Sequence, residues 1–368
     1  MRVAVLGAGG IIAPAIVRDL AGAPGIDGLT LLDLDGAAAR RTAAEHGGGI
    51  ATGAAVDATD RQALTLAIEG HALLLNAASY RVNLAAMDAA LAANANYVDL
   101  GGLYHLTLRQ LALSEAFAAA GLLAVLGCGA GPGKTNVMAA RAARELDVVE
   151  AVRCASAGFD ETPPEVGLAV PYAVHTLLDE LTEPPIVVAG GVPRAVPPLT
   201  AGGTVLFPEP IGARPTLFTL HSEVATLPRS LGARACDFRL ALAPAVESAL
   251  REIVAAGTAA SDVATVPASP RTWSAQHVEV HGRRGGAAAT VTLTALTRPH
   301  QEWGLGGGVI STASVAATTA RLLGRGGLDG ATGVLPVERV LTPEVLFPEL
   351  EARGCIFTLH VGDIGGSP

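Results

Sequence analysis

The stretch MRVAVLGAGGIIAPAIVRDL (residues 1–20) joins an apolar run to a glycine-rich turn and then to a helical pattern. Arg2–Leu6 predicts a strand, and Ile12–Leu20 carries apolar residues at helical spacing. Here Gly7 permits a tight turn, and Gly9 lets the backbone approach a pyrophosphate held at the helix N-terminus. The stretch therefore predicts a dinucleotide-binding turn, with candidate contacts Gly7, Gly9, Gly10 and Ile11.

The turn departs from the G-x-G-x-x-G fingerprint at the third glycine, where Ile12 stands. That glycine serves mainly helix–strand packing, so we expect binding to survive its loss. Asp33 closes the second predicted strand, where an acid hydrogen-bonds the ribose 2′-hydroxyl and repels a 2′-phosphate. We therefore expect NAD as the cofactor, with NADP left possible by Arg40 or Arg41, and we assign Asp57 to the same cofactor-binding group.

Strands and helices alternate along the first part of the chain. Further apolar runs predict strands at Leu29–Leu34, His71–Leu75, Tyr97–Leu100 and Leu122–Leu126. Helical patterns of about 10–15 residues separate them, which indicates parallel βαβ units. The predicted fold class is α/β, with an N-terminal Rossmann domain, a doubly wound parallel sheet, over residues 1–128.

Small and polar residues follow two of these strands. In open α/β sheets, ligands bind beyond the carboxyl ends of the strands. The residues that we expect at this edge are Asn76, Ala77 and Ala78 after one strand and Asp99 and Gly101 after the next. Ordinary loop chemistry is the alternative interpretation.

The pattern changes after Val148, where prolines cluster and alternating strands appear. Runs paired across the glycine-rich turn Gly282–Gly286 predict an antiparallel hairpin. This indicates an α+β substrate and dimerisation domain over residues 129–308. Ile310–Leu323 predicts a long helix, and we expect the segment 309–368 to return to the first domain.

Composition bounds the function classes. The 368 residues suggest two or three domains, and 50% hydrophobic with only 16% charged residues excludes a disordered chain. The net charge is −9 and no basic stripe is present, which argues against nucleic-acid binding. No apolar run is long enough to cross a membrane, and the glycines of the first turn argue against a signal peptide. Four scattered cysteines predict a reduced, cytoplasmic protein, and no metal-ligand spacing is present.

The segment Cys128–Thr135 ends in Gly-Lys-Thr and superficially resembles a phosphate-binding P-loop. A P-loop requires glycine at the first position, where Cys128 stands, so a nucleotide hydrolase is disfavoured. The preferred interpretation is a close backbone turn beneath a nicotinamide ring, which makes Gly131 and Pro132 candidate cofactor contacts.

Together these pieces resemble the saccharopine dehydrogenase family, and within it the lysine 6-dehydrogenase branch. The motifs that carry the resemblance are Asn76-Ala77-Ala78, Tyr97–Gly102, Leu126–Asn136 and His221–Pro228. The resemblance covers nearly the whole chain. It implies NAD(P)-dependent chemistry at a carbon–nitrogen bond, a second domain similar to that of glyceraldehyde-3-phosphate dehydrogenase, and a homodimer.

That chemistry needs a base to take a proton from the amine and a cation to hold a substrate carboxylate. Candidate catalytic residues are Asp99, His105, His221 and Glu223. Candidate substrate-binding residues are Tyr80, Tyr104, Tyr172, Arg229 and Arg298. Each has an ordinary alternative, such as a helix cap for Asp99 or a solvated surface for the arginines.

The most specific expectation is oxidative ε-deamination of an amino acid, lysine, to a semialdehyde that cyclises. One alternative is a reductive, opine-type synthase that joins an amine to a carbonyl compound. Others are a deaminating cyclase or transferase that uses bound NAD catalytically, and a non-catalytic NAD-sensing subunit.

Overall fold

The computed structural model describes residues 1–165, 167–170, 172–266, 268–328 and 330–363. Two compact units divide the chain: the first comprises 1–133 and 312–342, and the second comprises 134–311 and 343–368. The sequence pattern predicts these boundaries at 128 and 308. The segment expected to return to the first domain is itself divided, because residues from Pro343 onward belong to the second unit.

In chain order the strands are β1 (Arg2–Leu6), β2 (Gly28–Asp33), β3 (Ala51–Ala55), β4 (Leu73–Asn76), β5 (Asn96–Asp99), β6 (Leu123–Leu126), β7 (Val148–Asp160), β8 (Leu168–Ala169), β9 (Ile186–Ala189), β10 (Val192–Ala195), β11 (Ala201–Leu206), β12 (Ala213–Phe218), β13 (Ala235–Ala241), β14 (Thr265–Val266), β15 (Thr272–Arg284), β16 (Ala287–Thr297), β17 (Gly333–Pro336) and β18 (Cys355–Asp363). The helices are α1 (Ala13–Leu20), α2 (Gly36–His46), α3 (Arg61–Ile68), α4 (Asn83–Ala92), α5 (Tyr104–Leu111), α6 (Ser114–Ala119), α7 (Lys134–Ala143), α8 (Val174–Thr182), α9 (Glu223–Leu231), α10 (Pro244–Ala256), α11 (Gly307–Gly324) and α12 (Pro343–Glu351).

The first unit contains a parallel sheet in the order β17-β6-β5-β4-β1-β2-β3. Every residue of β4 and β6 is buried, because a parallel sheet covered on both faces buries continuous apolar runs. The order reverses between β1 and β4, which is the point where such sheets bind ligands. The predicted Rossmann domain is confirmed.

Two details of this unit differ from the expectation. The helical pattern expected between β5 and β6 is two helices, α5 and α6; α5 buries Tyr104, Thr107 and Gln110, and α6 buries Phe117. The sheet also gains β17 as an edge strand. Its four residues end in Pro336, which is tolerated because the strand lies at the edge of the sheet. A proline also argues against a strand when only the sequence is known, so this strand was not predicted.

The second unit contains a mixed sheet in the order β10-β9-β13-β7-β15-β16-β18, to which β11 and β12 pair alongside β13. Its β15–β16 hairpin turns at Gly285 and Gly286, both at positive φ, so the predicted hairpin is confirmed. A small core on this sheet includes Phe207, Ile211 and Ala275. The expected second α+β domain is therefore present.

Candidate functional site

The glycine-rich turn of the first unit lies against the end of β4. Gly7 has φ +83°, and its N–H donates to the Leu32 carbonyl at 2.8 Å. A Cβ on Gly7 would lie 2.5 Å from the Ala78 nitrogen, so only glycine fits. Ala77 and Ala78 are half-buried beside this turn. The small residues predicted at two separate strand ends are thus brought together.

Asp33 organises the other side of the turn. Its Oδ2 accepts from the Gly9 N–H at 2.8 Å, and its Oδ1 accepts from the Asp35 N–H at 2.9 Å. Gly10 is exposed and donates to the Gly7 carbonyl, and Ile11 is exposed just before α1. This arrangement places a carboxylate and a helix N-terminus around an open glycine turn, as a dinucleotide requires.

Asp57 lies beyond the carboxyl end of β3 and forms a local turn. Its Oδ1 accepts from both the backbone N–H and the hydroxyl of Thr59, and these bonds lower the pKa of the carboxyl. Asp60, not Asp57 or Thr59, caps helix α3. Asp57 is exposed and ionised, which is compatible with the predicted cofactor contact.

Asp99 is buried at the end of β5 and is satisfied by protein donors. Its Oδ1 accepts from the N–H groups of Gly101 and Gly127, and its Oδ2 accepts from Gln110 and Asn83. Burial raises the pKa of this carboxyl, and the hydrogen bonds oppose that rise. Through these bonds Asp99 fixes the loops beyond β5 and β6; it does not cap helix α5, whose N-cap residue is Leu103.

Asn76 belongs to the same buried network. Its Nδ2 donates to Asn83 Oδ1 at 2.9 Å and to the Tyr97 hydroxyl at 3.2 Å, and its Oδ1 accepts from the Ala78 N–H. Asn76 therefore holds the backbone of Ala78, beside the glycine turn, by a direct hydrogen bond.

The turn over residues 127–133 packs on the loop after β5. A Cβ on Gly101 would lie 2.3 Å from Pro132 Cγ, and the Gly129 N–H donates to the Pro132 carbonyl at 2.9 Å. Gly131 precedes Pro132 in this turn. Gly101, Gly131 and Pro132 thus form one tight backbone layer, in keeping with the predicted close turn.

Lys134 is fully buried at the start of α7, within the second unit. Its Nζ donates to Thr297 Oγ1 at 3.0 Å and lies 3.9 Å from Cys355 Sγ, and burial lowers its pKa. A P-loop lysine has to reach phosphate oxygens, so this placement removes the main support for the nucleotide-hydrolase alternative.

A buried ionisable cluster forms where β12 leads into α9 in the second unit. His221 Nδ1 and Glu223 Oε2 are 2.5 Å apart, and Glu223 Oε1 accepts from the Thr135 hydroxyl at 2.8 Å. The imidazole stacks on the Phe238 ring with centroids 3.6 Å apart. The Phe238 ring on one face and the Glu223 carboxylate at Nδ1 therefore fix the orientation of the imidazole. Its other nitrogen, Nε2, remains for a further hydrogen bond.

A second carboxylate faces that open nitrogen. Glu180 Oε1 lies 3.7 Å from His221 Nε2, and Glu180 Oε2 accepts a hydrogen bond from the Tyr172 hydroxyl. Burial alone would lower the pKa of His221, but Glu223 and Glu180 raise it above its usual value. Burial raises the pKa of Glu180 to about 7. An imidazole held between two carboxylates in this way can take and return a proton near neutral pH.

Sequence reasoning missed Glu180 and Thr135. Glu180 carried a usable signal, since it lies three residues after Leu177 and so on the buried face of α8. Thr135 carried none, because its partner Glu223 is 88 residues away.

The other predicted residues lie outside this cluster. Tyr80 is half-buried in a short 3-10 turn after β4, and Tyr104 is buried at the start of α5, where burial raises its pKa. His105 is exposed, with its ring edge-on to Tyr104 at 5.2 Å. The two predicted carboxylate clamps, Arg229 in the last turn of α9 and Arg298 after β16, are both exposed.

Two further features are absent from the described residues. They contain no group of three or more histidine, cysteine, aspartate or glutamate side chains arranged to hold a metal ion. No helix among them combines the length and apolarity needed to span a bilayer.

Comparisons with known proteins bear mainly on the first unit. Residues 3–125 match the family model described as the saccharopine dehydrogenase NADP binding domain. A curated relative, the carboxyaminopropylagmatine dehydrogenase of Synechocystis sp., is 28% identical over 172 residues, which cover 44% of this chain and 42% of that protein. The match thus spans less than half the length of either chain. The expected NAD(P)-binding domain is confirmed.

Two solved structures share the fold over the whole chain. Saccharopine dehydrogenase (L-Glu forming) from Saccharomyces cerevisiae has a TM-score of 0.72 at 13% identity, covering 98% of this chain and 99% of the other. Homospermidine synthase from Legionella pneumophila has a TM-score of 0.71 at 12% identity, covering 100% and 93%. At 12–13% identity, these two similarities show a shared fold.

Proposed function

We propose that this chain, whose residues 3–125 match the family model described as the saccharopine dehydrogenase NADP binding domain, is a member of that family and an NAD(P)-dependent oxidoreductase acting on a carbon–nitrogen bond of an amino acid or amine. The observation that carries the proposal is the buried His221–Glu223 pair, held in a chain whose first unit is built to bind a dinucleotide.

The proposed role of His221 is proton transfer. An amine loses hydride from the carbon that bears its nitrogen only when that nitrogen is neutral, so a base must first take the ammonium proton. His221 Nε2 is the open nitrogen for that step, while Glu223 holds Nδ1 and stabilises the imidazolium that forms. Thr135 in turn fixes Glu223. When bound, the nicotinamide supplies the hydride acceptor, or the donor in the reverse direction.

Oxidative ε-deamination of lysine is the specific reaction that we propose first, because the motifs resemble the lysine 6-dehydrogenase branch. The chemistry asks for one amine and one carboxylate to be bound. Arg229 and Arg298 remain the candidates for the carboxylate, and their exposed guanidinium groups are accessible to it.

A reductive reaction that joins an amine to a carbonyl compound is the second candidate. It is favoured by the likeness to a curated protein named carboxyaminopropylagmatine dehydrogenase, whose name describes a carboxyalkylated amine. The same imidazole would then protonate the nitrogen as the imine is reduced, since the two directions share one transition state.

We further propose that the protein works as a homodimer in the cytoplasm, using NAD in preference to NADP. All four cysteines are buried and outside any disulfide, which suits a reducing compartment. The preference for NAD rests on Asp33, whose charge would repel a 2′-phosphate.

A spectrophotometric assay at 340 nm tests the proposal. The forward panel pairs NAD or NADP with lysine, ornithine, diamines and saccharopine, and the reverse panel pairs NADH with amines and 2-oxo acids. Lysine-dependent NADH formation supports the first reaction, and turnover only with an amine and an oxo acid together supports the second. Absence of turnover in both panels, with NAD bound, contradicts the redox proposal.

A further inference from the structure

The Glu180 carboxylate and the His221 imidazole face each other without being bonded. His221 Nε2 and Glu180 Oε1 are 3.7 Å apart, beyond hydrogen-bond distance. The opposite atoms of both groups are occupied, Nδ1 by Glu223 and Oε2 by the Tyr172 hydroxyl. Glu180 and His221 keep small exposed fractions of 4% and 5%, whereas Glu223 has none. Nε2 of His221 and Oε1 of Glu180 are therefore the atoms of these two groups that remain for a further hydrogen bond.

Two buried carboxylates, Glu180 and Glu223, share one imidazole. The groups that act on Glu180 are His221, Tyr172, Glu223 and Asp179, and the imidazole is the sole cationic group among them. The imidazole is already paired with Glu223. A buried carboxylate without a cation is unfavourable, which is why burial, with Glu223 and Asp179, raises the pKa of Glu180.

Two hydroxyls beside His221 also lack partners. Thr219 Oγ1 and Ser222 Oγ are buried and make no hydrogen bond within the described part of the chain. Buried polar atoms normally have partners. Their presence on either side of His221 in the chain gives this region unused hydrogen-bonding capacity.

We propose that Glu180 is a specificity-determining residue that receives a positively charged amino group of the substrate between its Oε1 and His221 Nε2. An ammonium nitrogen about 2.9 Å from each atom donates one hydrogen bond to Glu180 Oε1 and one to Nε2 of the neutral imidazole, so the substrate replaces the imidazolium as the cation beside Glu180. The second unit thereby selects substrates that bear an ammonium group at the reacting end over uncharged analogues. Tyr172 is a positioning residue that holds the Glu180 carboxylate toward the gap. The statement that the bound amine is the reacting group rests on the proposed function. The statement that Glu180 binds an ammonium group does not depend on it.

Calorimetric titration of the NAD-loaded chain tests this without requiring turnover. The probes are L-lysine, agmatine and 1,4-diaminobutane, with 1-butanol and 1,4-butanediol as uncharged counterparts. We expect at least one cation to bind at least tenfold more tightly than the uncharged compounds. Glu180→Gln should remove that preference, while Glu183→Gln, an exposed neighbour just after α8, should keep it. Failure of every cation to bind, or equal binding to Glu180→Gln, overturns the proposal.

Proton release separates this role from a merely structural one. Burial raises the pKa of Glu180 to about 7, and a cation beside it favours its ionised form, so binding near pH 7 should release protons to the buffer. Titration in two buffers of different ionisation enthalpy measures this release, which Glu180→Gln should abolish. If that variant does not fold, Tyr172→Phe carries the test, with cation binding expected to weaken about threefold. Unchanged binding in Tyr172→Phe would contradict the positioning role.

The two proposals fail in different ways. Glu180-dependent cation binding without NAD-linked turnover upholds this inference and contradicts the proposed function. NAD-linked turnover with the same KM in Glu180→Gln as in the natural sequence does the reverse.

Discussion

Each candidate site depends on one carboxylate and on the hydrogen bond that this carboxylate forms with a neighbouring residue. Asp33 binds the Gly9 N–H in the first unit, and Glu223 binds His221 in the second. Because a hydrogen bond to a charged group contributes about 1.5–3 kcal/mol, neutralising one of these carboxylates has a measurable effect.

Asp33→Asn should weaken NAD binding about tenfold and improve NADP binding. The amide loses the charge that favours a ribose hydroxyl and repels a 2′-phosphate. Fluorescence titration with both cofactors measures the change, and Glu69→Gln, an exposed acid of the same unit, serves as the control. An unaltered ratio of NAD to NADP affinity would remove Asp33 from the cofactor site.

Glu223→Gln should lower kcat about 100-fold and move the pH profile. Glu223 raises the pKa of His221, so its neutralisation lowers that pKa. In the oxidative direction the imidazole must be neutral, so the rising limb of kcat/KM should shift to lower pH. Glu252→Gln, exposed on α10, should leave the limb in place. A limb that stays in place in Glu223→Gln would exclude His221 as the titrating base.

At the scale of elements, the glycine turn illustrates how a local signal fixes a site. Gly7 and Gly22 both have positive φ, +83° and +86°, so alanine strains the backbone at either position. A Cβ at Gly7 also meets Ala77 and Ala78, whereas nothing lies within 4 Å of a Cβ at Gly22. A comparison of alanine variants at Gly7 and Gly22 therefore separates the effect of backbone strain from the effect of a side chain that contacts the turn.

Gly7→Ala should abolish NAD binding, and Gly22→Ala should lower stability by about 1 kcal/mol with binding intact. Thermal unfolding with and without NAD distinguishes the two effects. Bound NAD at 100 times its Kd stabilises the folded state by about 2.7 kcal/mol, and this gain should vanish only in Gly7→Ala. Retained stabilisation in that variant would show that the turn does not hold the cofactor.

The sequence predicts such elements where the signal is local. The β1–turn–α1 unit, the carboxyl ends of β4 and β5 and the β15–β16 hairpin all follow from short-range patterns. The β17 edge strand is four residues long and pairs with β6, which lies about two hundred residues earlier in the chain. Its pairing depends on tertiary packing, so no local pattern announces it. Thr135 could not be predicted for the same reason, since its partner Glu223 is 88 residues away, whereas Glu180 carries a local signal on the buried face of α8 but no local sign of its partner His221.

At the scale of the molecule, the chain forms two units, each built on its own sheet. We propose dinucleotide binding for the first unit and proton transfer for the second. The buried ionisable cluster is acidic, as is the whole chain at a net charge of −9. Both features fit a cationic amine better than an anionic substrate.

Amine-dependent reduction of NAD by the natural sequence and by His221→Gln tests the central claim most directly. With the best amine from the assay panel, absorbance at 340 nm gives kcat, and calorimetry gives the affinity for NAD. The account predicts turnover that falls at least 100-fold in His221→Gln while NAD binding stays the same. Equal turnover in the two proteins would contradict it, because no proton-transfer role would then remain for the buried imidazole.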